Sequence, residues 1–256
     1  MELSKAYMQG LSLNKISFLK YYSLLFITAI TMNCCENATN RKPTISNKTS
    51  QKTIKKTAKK ETLTKVKKQI LVQDVISDKN VRSFFIDYGK KNPETKLILK
   101  TRLGNISIQL FKETPLHRAS FIYLIKNGYY NKTCFHRIVK DFIIQGGWSD
   151  QNIVQEYRSQ LNNYRIPPEF KKGLIHKKGA LSATRRWVEN PGKLSNPFEF
   201  FIMQTSLDCS HLNFEHTVFG QVTNGLEVVD KISKVTLDED SEWPEVDINI
   251  EFEILP

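Results

Sequence analysis

The sequence predicts a mainly β domain with two helices, preceded by a basic polar leader. Three observations carry that reading. Near the C-terminus, Val246, Ile248, Ile250, Phe252 and Ile254 alternate with Asp247, Asn249, Glu251 and Glu253, the period-2 pattern of a strand with one buried face. Leu97 and Leu99 are followed by Gly104-Asn105 and then by Ile106, Ile108 and Leu110, two strands around a tight hairpin turn. Charge is also partitioned: residues 1–96 hold 19 Lys+Arg against 7 Asp+Glu, and residues 97–256 hold 19 of each. A chain of 256 residues has room for one domain of ordinary size plus such an extension.

In chain order, residues 1–35 read as an export leader. Lys15 and Lys20 precede an apolar run from Tyr21 to Met32. The run is shorter than the ~20 apolar residues that span a bilayer, and it suits the apolar core of a signal segment. It ends at the adjacent Cys34 and Cys35, which makes Cys34 the expected lipid anchor, although Thr31-Met32-Asn33 fits a lipoprotein cleavage site poorly. The alternatives are an uncleaved signal anchor and cleavage without lipid. Residues 36–70 are rich in Lys, Thr, Asn and Ser without apolar period, and read as a disordered basic linker whose ends lie roughly 30–35 Å apart. Residues 71–96 are ambiguous: Val72, Val75, Ile76, Phe84 and Phe85 suit a short helix or a strap on the domain. The folded domain is expected over 97–256. Because the basic excess sits in the leader, nucleic-acid binding is not expected, and an anionic membrane surface is the better partner for it. These features together predict a membrane-anchored protein of the cell envelope, its domain facing the periplasm or the exterior.

Within the domain, Thr114 as N-cap and Pro115 at the first helical position open a helix carrying Ala119, Phe121, Ile122, Leu124 and Ile125 and closed by Gly128. A second helix is expected from about Gly225 to Ser233, capped by Asn224, with Leu226, Val229 and Ile232 on one face. Periodicity supports a barrel or a sandwich without choosing between them. Cys134 and Cys209 lack metal-ligand spacing; a disulfide between them is one reading and a pair of buried thiols the plainer one. His117, His136, His176 and His211 are scattered and predict no metal site.

The stretch Phe135-His136-Arg137-Ile138-Val139-Lys140-Asp141-Phe142-Ile143-Ile144-Gln145-Gly146-Gly147 is the most informative. Two strands joined by a polar turn would give a similar pattern, but Arg137 between Phe135 and Ile138 emerges from a half-buried strand and needs a partner or a substrate. The stretch resembles the FHR-x-(V/I)-x-x-F-(M/I)-x-QGG motif of the cyclophilin family. Further blocks follow in that family's order: Ile166-Pro167-Pro168-Glu169-Phe170, His176 to Ser182, Glu199-Phe200-Phe201-Ile202, and His216-Thr217-Val218-Phe219-Gly220-Gln221-Val222. The resemblance covers roughly 97–256. It implies a closed eight-stranded antiparallel barrel capped by two α-helices, and peptidyl-prolyl cis-trans isomerase activity on proline-containing polypeptides, without cofactor or metal. Nothing points to an oligomer, and a monomer is expected.

By the same resemblance, Arg137 is the catalytic group. Phe142, Ile143, Phe201, Leu212 and His216 surround the proline ring, and Gln145 orients Arg137 or binds substrate backbone. Taken alone, Phe142, Ile143 and Phe201 would read as ordinary barrel core. The sequence also departs from the family. Thr184 and Arg185 replace an Ala-Asn pair that contacts substrate backbone, Glu199 replaces a Gln, His211 replaces a Trp found in many members, and Trp148 and Ser120 replace an Asp and an Asn. Glu199 is expected to pair with Arg137 and compete for its donors; the His211 exchange argues against strong cyclosporin binding. The leading expectation is a folding isomerase for exported proteins with reduced or altered activity. The alternative is a proline-peptide binding module, or chaperone, with weak or no turnover.

Overall fold

The computed structural model describes residues 76–256. The expected leader, the linker and Cys34 lie outside the described residues. Among the described residues no helix is long and apolar enough to cross a membrane.

The described chain begins with helix α1 (Val81–Lys91), followed by the hairpin β1 (Lys96–Thr101) and β2 (Gly104–Leu110) and by helix α2 (Pro115–Lys126). The hairpin β3 (Cys134–Val139) and β4 (Ile143–Trp148) comes next, then helix α3 (Asn152–Gln160), β5 (Ala180–Thr184), β6 (Asn196–Met203), β7 (Val218–Asn224), helix α4 (Leu226–Ile232) and β8 (Glu251–Leu255). All eight strands join one antiparallel sheet in the order β3-β4-β6-β5-β7-β2-β1-β8. The sheet curls until its ends meet. The last seam is an isolated bridge between Cys134 and Asn249, with Phe135 N–H donating to Ile248 O at 3.0 Å and Ile250 N–H to Thr133 O at 3.0 Å. The expected barrel is therefore present, with one seam that is a bridge rather than a full ladder.

The C-terminal alternation is correct in its facing and wrong in its extent. Ile248, Ile250 and Phe252 are buried, but only residues 251–255 form a strand, and Val246 is exposed at the end of a loop. Among the described residues four α-helices stand where two were expected in the domain. α2 and α4 are the expected pair, with changed caps. Thr114 makes no side-chain cap bond to α2; the Glu169 carboxylate accepts from Leu116 N–H (3.1 Å) and His117 N–H (2.9 Å) instead. Gly225, not Asn224, caps α4. It sits at φ 93°, and a Cβ there would lie 2.5 Å from Asn105 O, so only glycine fits.

Residues 71–75 of the ambiguous segment, Val72 and Val75 among them, lie outside the described residues; over the described remainder α1 packs on the domain. Ile76, Val81 and Phe85 are buried, and Phe84, Phe85 and Tyr88 pack edge-on against Tyr123 of α2 at 5.2–5.9 Å. The buried Arg118 of α2 donates to Gly89 O (3.0 Å) and Asn92 O (2.7 Å), satisfying the terminal carbonyls of α1 and placing a cation at its negative end. Cys134 and Cys209 are free, buried thiols; burial pushes Cys134 up to about 12, which keeps it protonated and unreactive.

Candidate active site

Two rows of residues cross the sheet side by side and face opposite ways. Ile138, Ile144, Ile202 and Leu181 are in register on β3, β4, β6 and β5 and are buried in the barrel core. Beside them run Arg137, Gln145, Phe201 and Ser182 on the outer face. A bulge makes this possible. The register of β3 against β4 shifts between Phe135 and Arg137, so His136 is an extra residue. Phe135 and Ile138 both reach the core while Arg137 points outward, which strict alternation would forbid. Lys140-Asp141 turns the hairpin, with Asp141 at φ 57°, a conformation Asp tolerates. Gly147 lets β4 close on β6: at φ 99°, a Cβ there would sit 2.2 Å from Phe198 O.

The outer face holds a second apolar cluster, separate from the barrel core, that includes Ile143, Phe201, Met203, Leu212 and Val218, with Phe142 packed against it. Phe142, Ile143 and Phe201 are thus not barrel core. They line a cavity of about 540 Å³ together with Arg137, Gln145, Thr184, Arg185, Glu199, Leu212 and His216. All ten residues singled out in the domain converge on this one cavity. Arg186, Trp187 and Asn196 line it too and carried no sequence signal beyond a Trp next to two Arg in a polar loop.

The expected Glu199–Arg137 pair is absent. Glu199 instead accepts from Arg158 Nη2 (3.0 Å), Asn196 Nδ2 (3.1 Å) and Gln145 Nε2 (2.9 Å). Arg158 comes from α3, which no motif announced. Its guanidinium lies 4.4 Å from the Trp148 ring centroid and donates to Tyr129 Oη (2.9 Å) and Gly147 O (3.1 Å). Because a carboxylate only accepts, Glu199 turns the Gln145 amide so that its Oε1 faces Arg137 Nη1, at 3.4 Å. The carboxylate that does claim Arg137 is Glu242, on the loop before β8: Arg137 Nε donates to its Oε2 at 2.5 Å. That loop is tied to β3 by Ile138 N–H donating to Glu242 O at 2.7 Å.

Arg185 lines the cavity with its donors already engaged. Its side chain is not presented to the cavity as a free donor; it is buried against Glu215, donating to Glu215 O (2.7 Å) and to the Glu215 carboxylate. Thr184 Oγ1 is 3.4 Å from Glu199 O. His211 stacks on Phe142 at 6.3 Å. His216 Nδ1 lies 3.0 Å from Ala183 O; a carbonyl only accepts, so Nδ1 carries the proton. Burial, with the nearby Arg185 charge assisting, lowers His216 to about 4, so the ring is neutral and apolar in character around pH 7. The cavity thus offers a half-exposed guanidinium beside an apolar, aromatic slot, with no nucleophile poised for covalent chemistry.

The description "Cyclophilin type peptidyl-prolyl cis-trans isomerase/CLD" belongs to the family model that matches residues 96–252. A peptidyl-prolyl cis-trans isomerase of Acinetobacter baylyi is 34% identical over 143 residues, 55% of this chain and 73% of that protein. A peptidyl-prolyl cis-trans isomerase-like 2 of Rhizopus delemar is 38% identical over 163 residues, which is 63% of this chain but only 28% of that longer protein. Among solved structures, a cyclophilin type peptidyl-prolyl cis-trans isomerase of Cryptosporidium parvum matches with a TM-score of 0.53 at 26% identity, covering 64% of this chain and 98% of that one. A second structure of the same protein, solved in the presence of the dipeptide Ala-Pro, matches with a TM-score of 0.52 at 26% identity, covering 63% of this chain and 99% of that one.

Proposed function

The chain belongs to the cyclophilin-type peptidyl-prolyl cis-trans isomerase family, and from that premise we propose that it turns X-Pro bonds of exported polypeptides in the cavity around Arg137. The reaction requires no nucleophile. Amide resonance sets a barrier of about 18–20 kcal/mol to rotation, while cis and trans prolyl bonds differ by only about 0.5–1 kcal/mol. In the twisted state resonance is lost and the imide nitrogen gains a lone pair. A fixed cationic donor beside that nitrogen binds the twisted state better than either planar one. Arg137 is that donor; Phe142, Ile143, Phe201, Leu212 and His216 receive the pyrrolidine ring; Gln145 holds the guanidinium. A thousandfold acceleration asks for about 4 kcal/mol of such selective stabilisation.

The observation that carries this reading is the convergence of Arg137 and the apolar slot on one cavity. Isomerisation of a proline peptide by wild type and Arg137→Ala tests it. The variant is expected to lose about two to three orders of magnitude in kcat/KM, and equal rates would refute the role of Arg137. One observation favours a second reading, a proline-peptide binder with weak turnover: Glu242 occupies the Nε donor of Arg137. Tight peptide binding without rate acceleration would select it. The envelope location rests on the basic and apolar leader ending at Cys34; mass analysis of the native N-terminus tests it, and an unmodified, uncleaved Met1 would count against lipid attachment.

A further inference from the structure

The rim of the cavity holds an aromatic side chain that the proline slot does not use. Trp187, on the loop between β5 and β6, is 62% exposed and lines the cavity. A lone exposed tryptophan is unremarkable on a protein surface, but this one is held in place. Its ring lies over the Arg185 guanidinium, 4.0 Å from carbon to ring centroid. Arg185 is in turn fixed by Glu215 O, the Glu215 carboxylate and Arg186 O, and Lys193 grips the same carboxylate at 2.5 Å. Asn190 braces the loop, donating to Arg186 O (3.1 Å) and Leu194 O (2.9 Å) and accepting from Leu194 N–H (2.9 Å).

The rings form a staircase out of the slot. Phe201 meets His216 edge-on at 5.3 Å, and His216 meets Trp187 edge-on at 5.3 Å. A proline ring seated on Phe201 therefore has Trp187 two ring contacts away, within reach of a neighbouring side chain on an extended peptide, whose residues advance about 3.3–3.6 Å each. The guanidinium covers one face of the indole and leaves the rest of the ring open. A preorganised aromatic surface binds without an ordering cost of its own, and rings prefer another aromatic partner in edge or offset contact.

We propose that Trp187 forms a second subsite, which takes an aromatic side chain flanking the substrate's proline. The proposal rests on the proline slot assigned above. The test uses two peptide series, one varying the residue before proline and one the residue after it, each with Ala, Phe, Tyr and Trp. In wild type, one series is expected to favour the aromatic over Ala by about three- to tenfold in kcat/KM, expressed mainly in KM. Trp187→Ala should bring that ratio to about one, and Trp187→Phe should retain part of it. The absence of an aromatic preference in wild type, or its persistence in Trp187→Ala, overturns the proposal. If no peptide is turned over, the isomerase reading fails by itself, and the same ratios measured as Kd by calorimetry decide the subsite separately.

Discussion

Glu242 is the residue that bears most directly on the role proposed for Arg137, since it takes the guanidinium's Nε donor. An arginine offers five donors, and a carboxylate on Nε leaves the Nη groups for the cavity while offsetting part of the charge. Both side chains are nearly half exposed, so the pair itself is worth at most about 0.2–1 kcal/mol. Glu242→Gln keeps an acceptor in place and removes the counter-charge. We expect kcat/KM to rise about two- to fivefold at low salt, with the gain shrinking as salt screens the original pair; a fall would mean that the carboxylate orients the guanidinium instead. Sequence could single out Arg137 as a candidate but not Glu242, because 105 residues separate them and only the closing of the barrel brings them together. The same limit explains the misassigned partner of Glu199. The resemblance placed Glu199 near Arg137, whereas Arg158 arrives on a helix that carries none of the quoted motif blocks.

Among the elements, α1 is the one that the family match leaves out, since that match begins at residue 96. It is nevertheless part of the folded body. Its removal would expose the Tyr123 ring of α2, against which Phe84, Phe85 and Tyr88 pack, and would leave Arg118 as a buried cation without the carbonyls it now serves. Each fully buried apolar side chain is worth about 1.5–3 kcal/mol, against a typical domain stability of about 5–15 kcal/mol. A fragment of residues 76–256 should therefore melt cooperatively, and one of residues 97–256 should lose at least about 3 kcal/mol. Denaturant midpoints of the two fragments check this; equal midpoints would show α1 to be dispensable. Phe84 and Phe85 marked the segment as apolar, but five apolar positions without a sustained period could not distinguish a helix from a strap.

Across the whole molecule, three histidines, His136, His176 and His216, are expected to set the response to mild acid. His216 is lowered from 6.5 to about 4, chiefly by burial, and His136 and His176 are also lowered, again chiefly by burial. A histidine whose folded-state value is depressed binds its proton more readily when unfolded. Above about pH 6.5 both states are neutral and the groups contribute nothing to the pH dependence. As pH falls from 6.5 towards 4 the unfolded chain takes up protons that the native state refuses, and stability drops. His216 alone accounts for up to roughly 3 kcal/mol of that loss. At lower pH a second loss adds to it, because the Lys178 hydrogen bond holds Asp230 below the usual carboxylate range. Melting temperatures between pH 8 and pH 4 should be flat at first and then fall, and His216→Asn should flatten the fall; a profile unchanged by that substitution would exclude His216 as its source.

The amino-acid sequence by itself pointed to the β class of the domain, the facing of its terminal strand, two of the four α-helices among the described residues, the family, and ten of the thirteen residues that line the cavity. Those properties are local: side-chain period, turn chemistry and short motifs are written in neighbouring residues. Only the tertiary structure decided how Arg137 comes to face the cavity: the register shift at His136 lets Phe135 and Ile138 both reach the core while Arg137 points outward. It alone decided that Arg158 and not Arg137 satisfies Glu199, that Glu242 claims Arg137, and that Trp187 stands at the rim. Ion pairs and cavity walls are formed by distant segments that barrel closure brings together, and no local pattern encodes which of the available opposite charges comes nearest.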